Sequence, residues 1–128
     1  MDIDVLIVDD QRLVREGISS LLAIQEGINV VGVAENGQEA VEQALHLTPD
    51  IILMDMTLPE IDGWTATRTI KENAQTRHIP IIALTAHTFD EDRERALKAG
   101  CDEFETKPTD FESLISKIMK LTESPAEA

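Results

Sequence analysis

Asp9 and Asp10 follow the apolar run VLIV, Asp55 follows IILM, Thr85 follows IIAL, and Lys107 stands before Pro108 just beyond DEFET. Brought together, three carboxylates, a hydroxyl and an ammonium would form a site for charged chemistry. Carboxylates held close together repel, so at neutral pH they need either raised pKa values or a compensating cation. A hard divalent ion meets that need. Mg²⁺, and Mn²⁺ in the same way, takes oxygen ligands, usually one or two carboxylates, keeps several waters and leaves positions for phosphate oxygens. His46, His78 and His87 are scattered and Cys101 is single, so the chain offers no zinc cluster. An ammonium and a hydroxyl facing a metal-bound carboxylate would stabilise phosphoryl oxygens, and the carboxylate can itself be the nucleophile. Asp55 is the best candidate for that role, with Asp9 and Asp10 as metal holders.

Each of these residues also has a plainer use. Asp10 could cap the helix that follows it, Thr85 could be a strand residue, and a Lys before Pro commonly sits in a solvated loop. What points to function is their joint placement on one edge of one sheet.

The elements that would bring them there can be read from periodicity. Short apolar runs alternate with longer stretches in which apolar residues recur every three or four positions, which predicts repeated strand–helix units. The strand candidates are 3–9, 28–35, 50–55, 79–85 and 102–106, the last being polar. Continuous runs such as VLIV and IIAL suit strands covered on both faces. The first helix would place Leu13, Val14, Gly17, Ile18, Leu21 and Leu22 on one face; the second would use Ala40, Val41, Ala44 and Leu45. Asn36 with Glu39, Thr88 with Glu91, and Thr109 with Glu112 have capping-box spacing and would start the second, fourth and fifth helices. A third helix is expected over about 64–74, and Gly100 would end the fourth in a left-handed conformation. Five strands and five helices in this order predict a parallel sheet covered on both faces, with ligands at the carboxyl ends of the strands.

Composition narrows the function. The chain has 128 residues, 42% of them hydrophobic, which suits one domain, here 1–122, with the end of TESPAEA supplying a flexible tail or linker stub at 123–128. Eleven Lys and Arg against 25 Asp and Glu give a formal charge of −14, which disfavours direct binding to nucleic acid or anionic membranes. A single cysteine excludes an internal disulfide and fits a reducing compartment; no secretory signal or membrane span is evident, so a cytoplasmic location is expected. Trp64 and Met54 read as packing residues, Cys101 as an inert buried thiol, and DEDRERALK as a solvated helix face.

VLIVDD, DMTLPEIDGW, IIALTA and GCDEFETKP together resemble the response-regulator receiver domain of two-component signalling, over essentially the whole chain. The resemblance implies a flavodoxin-like doubly wound α/β fold, with a five-stranded parallel sheet of order 2-1-3-4-5 and five helices. It implies that Asp55 accepts a phosphoryl group from a sensor histidine kinase or phosphotransfer protein. Asp10 and Asp55 would ligate Mg²⁺ with the backbone carbonyl of Thr57, and Asp9 would act through a metal-bound water. Lys107, the Thr85 hydroxyl and the backbone of Ala86 would meet the phosphoryl group, while Phe104 would swing inward as Thr85 moves. Thr57 and His87 occupy positions that influence hydrolysis, and Pro108 is the candidate for a cis peptide. The output would be a changed surface of fourth helix, fifth strand and fifth helix, controlling a partner or a homodimer. The amino-terminal half is similar to receivers attached to helix-turn-helix factors, the carboxyl-terminal half to those of hybrid kinases.

Three rivals share some of these features. A haloacid-dehalogenase-type phosphatase would carry a second Asp two residues after the nucleophile, where Thr57 stands. A flavin binder would need Ser, Thr or Gly after the first strand instead of DDQRLV. A phosphate-independent pseudo-receiver would have no need for the full set of chemical residues.

Overall fold

The structure, a computed structural model, describes residues 2–56, 63–85, 90–106 and 110–122, without the side chains of residues 90–93 and 96. Ten elements alternate: β1 (Ile3–Val8), α1 (Arg12–Ala23), β2 (Ile28–Ala34), α2 (Gly37–Leu47), β3 (Ile51–Asp55), α3 (Gly63–Glu72), β4 (Ile81–Thr85), α4 (Asp90–Ala99), β5 (Glu103–Thr106) and α5 (Phe111–Thr122). All four strand pairings are parallel and the order is β2-β1-β3-β4-β5, as expected from alternating units joined by right-handed crossovers. The central strands are continuous apolar runs because each is covered twice: every residue of β3 and β4 is buried. One apolar cluster contains Leu6, Val8, Ala40, Ala44, Ile52, Met54, Ala66 and Ile70, beneath α2 and α3. The other contains Val5, Ile7, Ile18, Leu22, Leu53, Leu114 and Ile118, beneath α1 and α5.

The helices bury narrower stripes than the sequence suggested. Ile18 and Leu22 are buried and Val14 packs partly, but Leu13 and Leu21 are exposed at 83% and 46%, and Gly17 is exposed with them. Successive residues turn by about 100°, so one helix resting on a sheet buries the row 14, 18, 22 and leaves the row 13, 17, 21 on its flank. On α2, Ala40 and Ala44 are buried, Val41 and Leu47 pack partly, and Leu45 is exposed instead.

Caps explain several boundaries. The Asn36 side chain accepts from Glu39 N–H at 2.8 Å, and Glu39 reaches back to the Glu35 N–H at 3.3 Å. The fifth helix is capped one residue later than the Thr109 reading: Asp110 Oδ1 accepts from the N–H groups of Glu112 and Ser113 at 3.1 and 3.4 Å. Thr88, Thr109 and the tail at 123–128 lie outside the described residues. Gly100 has φ +112°, the positive value expected where the chain leaves α4, and a Cβ there would also press on Lys71 Cγ at 2.8 Å.

Lys71 is the strut between α3 and the β4–β5 edge. Its ammonium donates to the Ile79 carbonyl at 2.7 Å and to Asp102 Oδ2 at 2.9 Å, while the same oxygen accepts from Ile81 N–H at 2.9 Å. Replacing Lys71 by Met is expected to lower stability by roughly 1–2 kcal/mol, since Asp102 is partly solvated and screening reduces the ion pair's share. A urea midpoint shifted at unchanged slope measures it.

Beneath that strut Cys101 is buried, with its thiol 3.8 Å from Thr67 Oγ1, and burial pushes the thiol pKa from 9.0 up to about 11. Below pH 9 the thiol is protonated in folded and unfolded chains alike. Between about 9 and 11 only the unfolded chain gains by deprotonation, so stability falls as pH rises through that window. The expected loss is roughly 2–3 kcal/mol relative to Cys101→Ala, whose pH profile lacks it; chemical denaturation at stepped pH compares them.

Candidate functional site

β1 and β3 are neighbours, so the residues just past Val8 and at the end of β3 meet at one edge of the sheet. Asp9 continues the ladder, its N–H donating to the Ala34 carbonyl at 3.0 Å, and is fully buried. Its carboxylate accepts from the Gln11 N–H at 2.9 Å, a local turn that starts α1. Gln11 is the N-cap of that helix and makes no side-chain cap bond, so capping by Asp10 is not how α1 begins. Asp10 is exposed and Asp55 is 4% exposed. One carboxylate oxygen from each of Asp9, Asp10 and Asp55 lies within 4.8 Å of the others.

Three carboxylates at that spacing, two of them buried, form an all-oxygen donor set whose mutual repulsion a divalent cation relieves. The residues fit magnesium better than zinc: among the described residues no histidine or cysteine joins the group. Thr85 completes the described part of the edge. It ends β4, is 1% exposed, and follows Leu84, the residue paired with Asp55 across the ladder. Thr57, Ala86, His87, Lys107 and Pro108 lie outside the described residues.

Phe104 lies on β5 at the outer edge of the sheet, opposite Ala83, and packs partly against the core. Its peptide faces outward and is satisfied by side chains: Lys117 Nζ donates to its carbonyl at 2.7 Å, and its N–H donates to Glu103 Oε1 at 3.3 Å. Lys117 also binds Glu105 Oε2 at 2.8 Å, which Ser113 reaches at 3.0 Å. The edge is thereby closed to another strand and tied to α5.

Two residues at the site were missed by sequence reasoning. Arg15 donates from Nη1 to the Asp9 carbonyl at 2.8 Å, holding the turn that carries the acidic pair. Its only signal is a spacing of six residues that brings an α1 side chain back over the end of β1. Gly63, assigned to the loop, is instead the first residue of α3, buried against the Asp55 carbonyl and Met56. A glycine opening a helix just after a strand-end acid is the signal available there.

The receiver-domain family model, described as "Response regulator receiver domain", matches residues 5–119. The chain belongs to the response regulator receiver family. It is 40% identical over 120 residues to the response regulator protein VraR of Staphylococcus saprophyticus, and 41% identical over 120 residues to VraR of Staphylococcus aureus. These alignments cover 94% of the chain but 56% of either relative, so the receiver spans about half the length of the curated proteins it matches. Among solved structures, a LuxR-family two-component response regulator from Aurantimonas aligns with TM-score 0.88 at 32% identity, covering 95% of this chain and 86% of that one. The receiver domain of the sensor histidine kinase PA1611 from Pseudomonas aeruginosa aligns with TM-score 0.82 at 34% identity, covering 97% and 100%. That structure is described with a magnesium ion coordinated in its active-site cleft. The receiver's acidic pocket is thus Asp9, Asp10 and Asp55, in a family of phosphoacceptor switches of two-component signalling rather than enzymes in the ordinary sense. Among the described residues no helix is long and apolar enough to cross a membrane.

Proposed function

We propose that Asp55 is the phosphoacceptor of this receiver and that its donor is a phosphohistidine on a sensor kinase or phosphotransfer protein. The observation that carries this is the buried Asp55 carboxylate at a strand end, within 4.8 Å of two further carboxylates and beside buried Thr85. An Asp55 oxygen attacks phosphorus, the phosphorus–nitrogen bond breaks, its electron pair returns to the imidazole, and an acyl phosphate forms on Asp55. Asp10, Asp55 and the Thr57 carbonyl would hold Mg²⁺ (or Mn²⁺), with Asp9 acting through a water. When bound, the ion supplies charge neutralisation at the phosphoryl oxygens. Thr85, the Ala86 N–H and Lys107 would receive the remaining oxygens, and Thr57 and His87 would set access for hydrolytic water. As Thr85 moves toward the new charge, Phe104 is freed to turn inward, and the α4–β5–α5 surface changes for an effector or a second copy.

Incubation with Mg²⁺ and acetyl phosphate, followed by intact mass, tests the assignment. Wild type should gain one phosphoryl group and Asp55→Asn none. No gain in wild type, or equal gain in the variant, overturns it.

A further inference from the structure

Resting on Asp55 as the phosphoacceptor, a second contact route leads from that residue to α4. Helix α4 is weakly anchored: of its described side chains Ala99 is buried, whereas Glu94, Arg95, Leu97 and Lys98 are exposed. Its sequence, DEDRERALKA, has little else to bury. The specific contact to α3 among the described residues is a cation on a ring. The Arg95 guanidinium lies 3.8 Å from the ring centroid of Trp64, the chain's single tryptophan. Trp64 Nε1 is buried and has no hydrogen-bond partner among the described residues, so among them the indole is held by packing and by Arg95.

The other side of Trp64 leads to the site. Gly63 donates its N–H to the Met56 carbonyl at 3.2 Å and sits directly against the Asp55 carbonyl, with no room for a Cβ. Backbone contact therefore joins Asp55 to the first turn of α3, and the next residue carries the ring on which α4 is clasped.

We propose that the Arg95–Trp64 stack is a clasp that holds α4 in its resting position, and that occupancy of Asp55 loosens it through Gly63. An exposed cation–ring contact shifts an equilibrium by about two- to fivefold, enough to bias a two-state helix without fixing it.

The test uses the whole chain with Mg²⁺ and beryllofluoride, reading hydrogen exchange of α4 amides and the emission of the single indole. In wild type, beryllofluoride should speed α4 exchange and shift Trp64 emission. Arg95→Met should speed α4 exchange about two- to fivefold without ligand and tighten beryllofluoride binding by a similar factor, with Arg95→Lys between it and wild type. Trp64→Leu should match Arg95→Met in α4 exchange, and the double variant should add nothing further. If acetyl phosphate phosphorylates wild type but Arg95→Met leaves both α4 exchange and beryllofluoride affinity unchanged, or the two substitutions add independently, the clasp is overturned alone. If wild type takes up no phosphoryl group, the phosphoacceptor assignment falls, and the coupling to Asp55 with it.

Discussion

Gly63→Val is expected to cost about 3 kcal/mol or more, and to damage the acidic pocket in whatever fraction still folds. A Cβ at this position would overlap the Asp55 carbonyl oxygen, stand 2.6 Å from Met56 Cα and 2.9 Å from Met56 Cε. The methionine's terminal methyl can swing away; the two backbone atoms cannot, because Met56 N–H is bonded to the Leu84 carbonyl at 3.0 Å and Asp55 is paired into β3–β4. Relief must come from lifting α3 off the sheet, which opens the cluster around Ala66 and Ile70, both essentially inaccessible to solvent. Overpacking of a rigid site typically costs 1–3 kcal/mol, and a backbone-to-backbone clash belongs at or beyond the top of that range. Gly17→Ala is the matched control. Nothing lies within 4 Å of a Cβ there, and the residue is exposed inside α1, so that substitution should stabilise by about 0.5–1 kcal/mol. Urea unfolding of the two variants should therefore move in opposite directions.

That contrast shows what the sequence could and could not convey. Strand positions were legible because doubly covered strands have to be apolar throughout, and VLIV, IILM and IIAL have no other comfortable home. The acids at their ends then fell on one edge by topology alone. Positions inside helices were less legible, because Leu13, Leu21 and Leu45 share the periodicity of buried residues and differ only in rotation about the helix axis. The apolar patterning by itself does not separate Asp9 from Asp10, yet one is fully buried in the ladder and the other is exposed. That difference follows from strand alternation and the Gln11 turn, which together set how each carboxylate points. Least legible were contacts between distant elements: Arg15 on the Asp9 carbonyl, Lys71 on Asp102, and Gly63 on Asp55. Each depends on how two elements sit together, and no local pattern encodes that distance.

The unequal burial of the acidic pair leads to an expected split in their response to metal. Mg²⁺ added to metal-free protein should stabilise it by about 2.7 kcal/mol at a hundredfold excess over the dissociation constant, because an ion held by the folded carboxylate cluster would find no such cluster in the unfolded chain. For a domain of this size that is a rise of roughly 10 °C in Tm. Asp10→Asn should abolish most of this increment. Asp10 is exposed, so its replacement by an isosteric amide leaves packing intact, and removing one of three repelling charges should leave metal-free stability unchanged or raised by about 0.5 kcal/mol. Asp9→Asn should behave differently. Its oxygen already accepts the Gln11 N–H at 2.9 Å in a fully buried position, and an amide must place its NH₂ where the carboxylate's second oxygen was. It should therefore lose metal-free stability as well as part of the magnesium increment. Thermal unfolding with and without Mg²⁺, with Ca²⁺ as a larger-ion comparison, separates the two cases. Equal Mg²⁺ stabilisation of wild type and Asp10→Asn would mean that the ion binds elsewhere on this strongly acidic surface. A loss confined to the Mg²⁺-bound state would identify Asp10 as the exposed wall of the site, with Asp9 and Asp55 buried behind it.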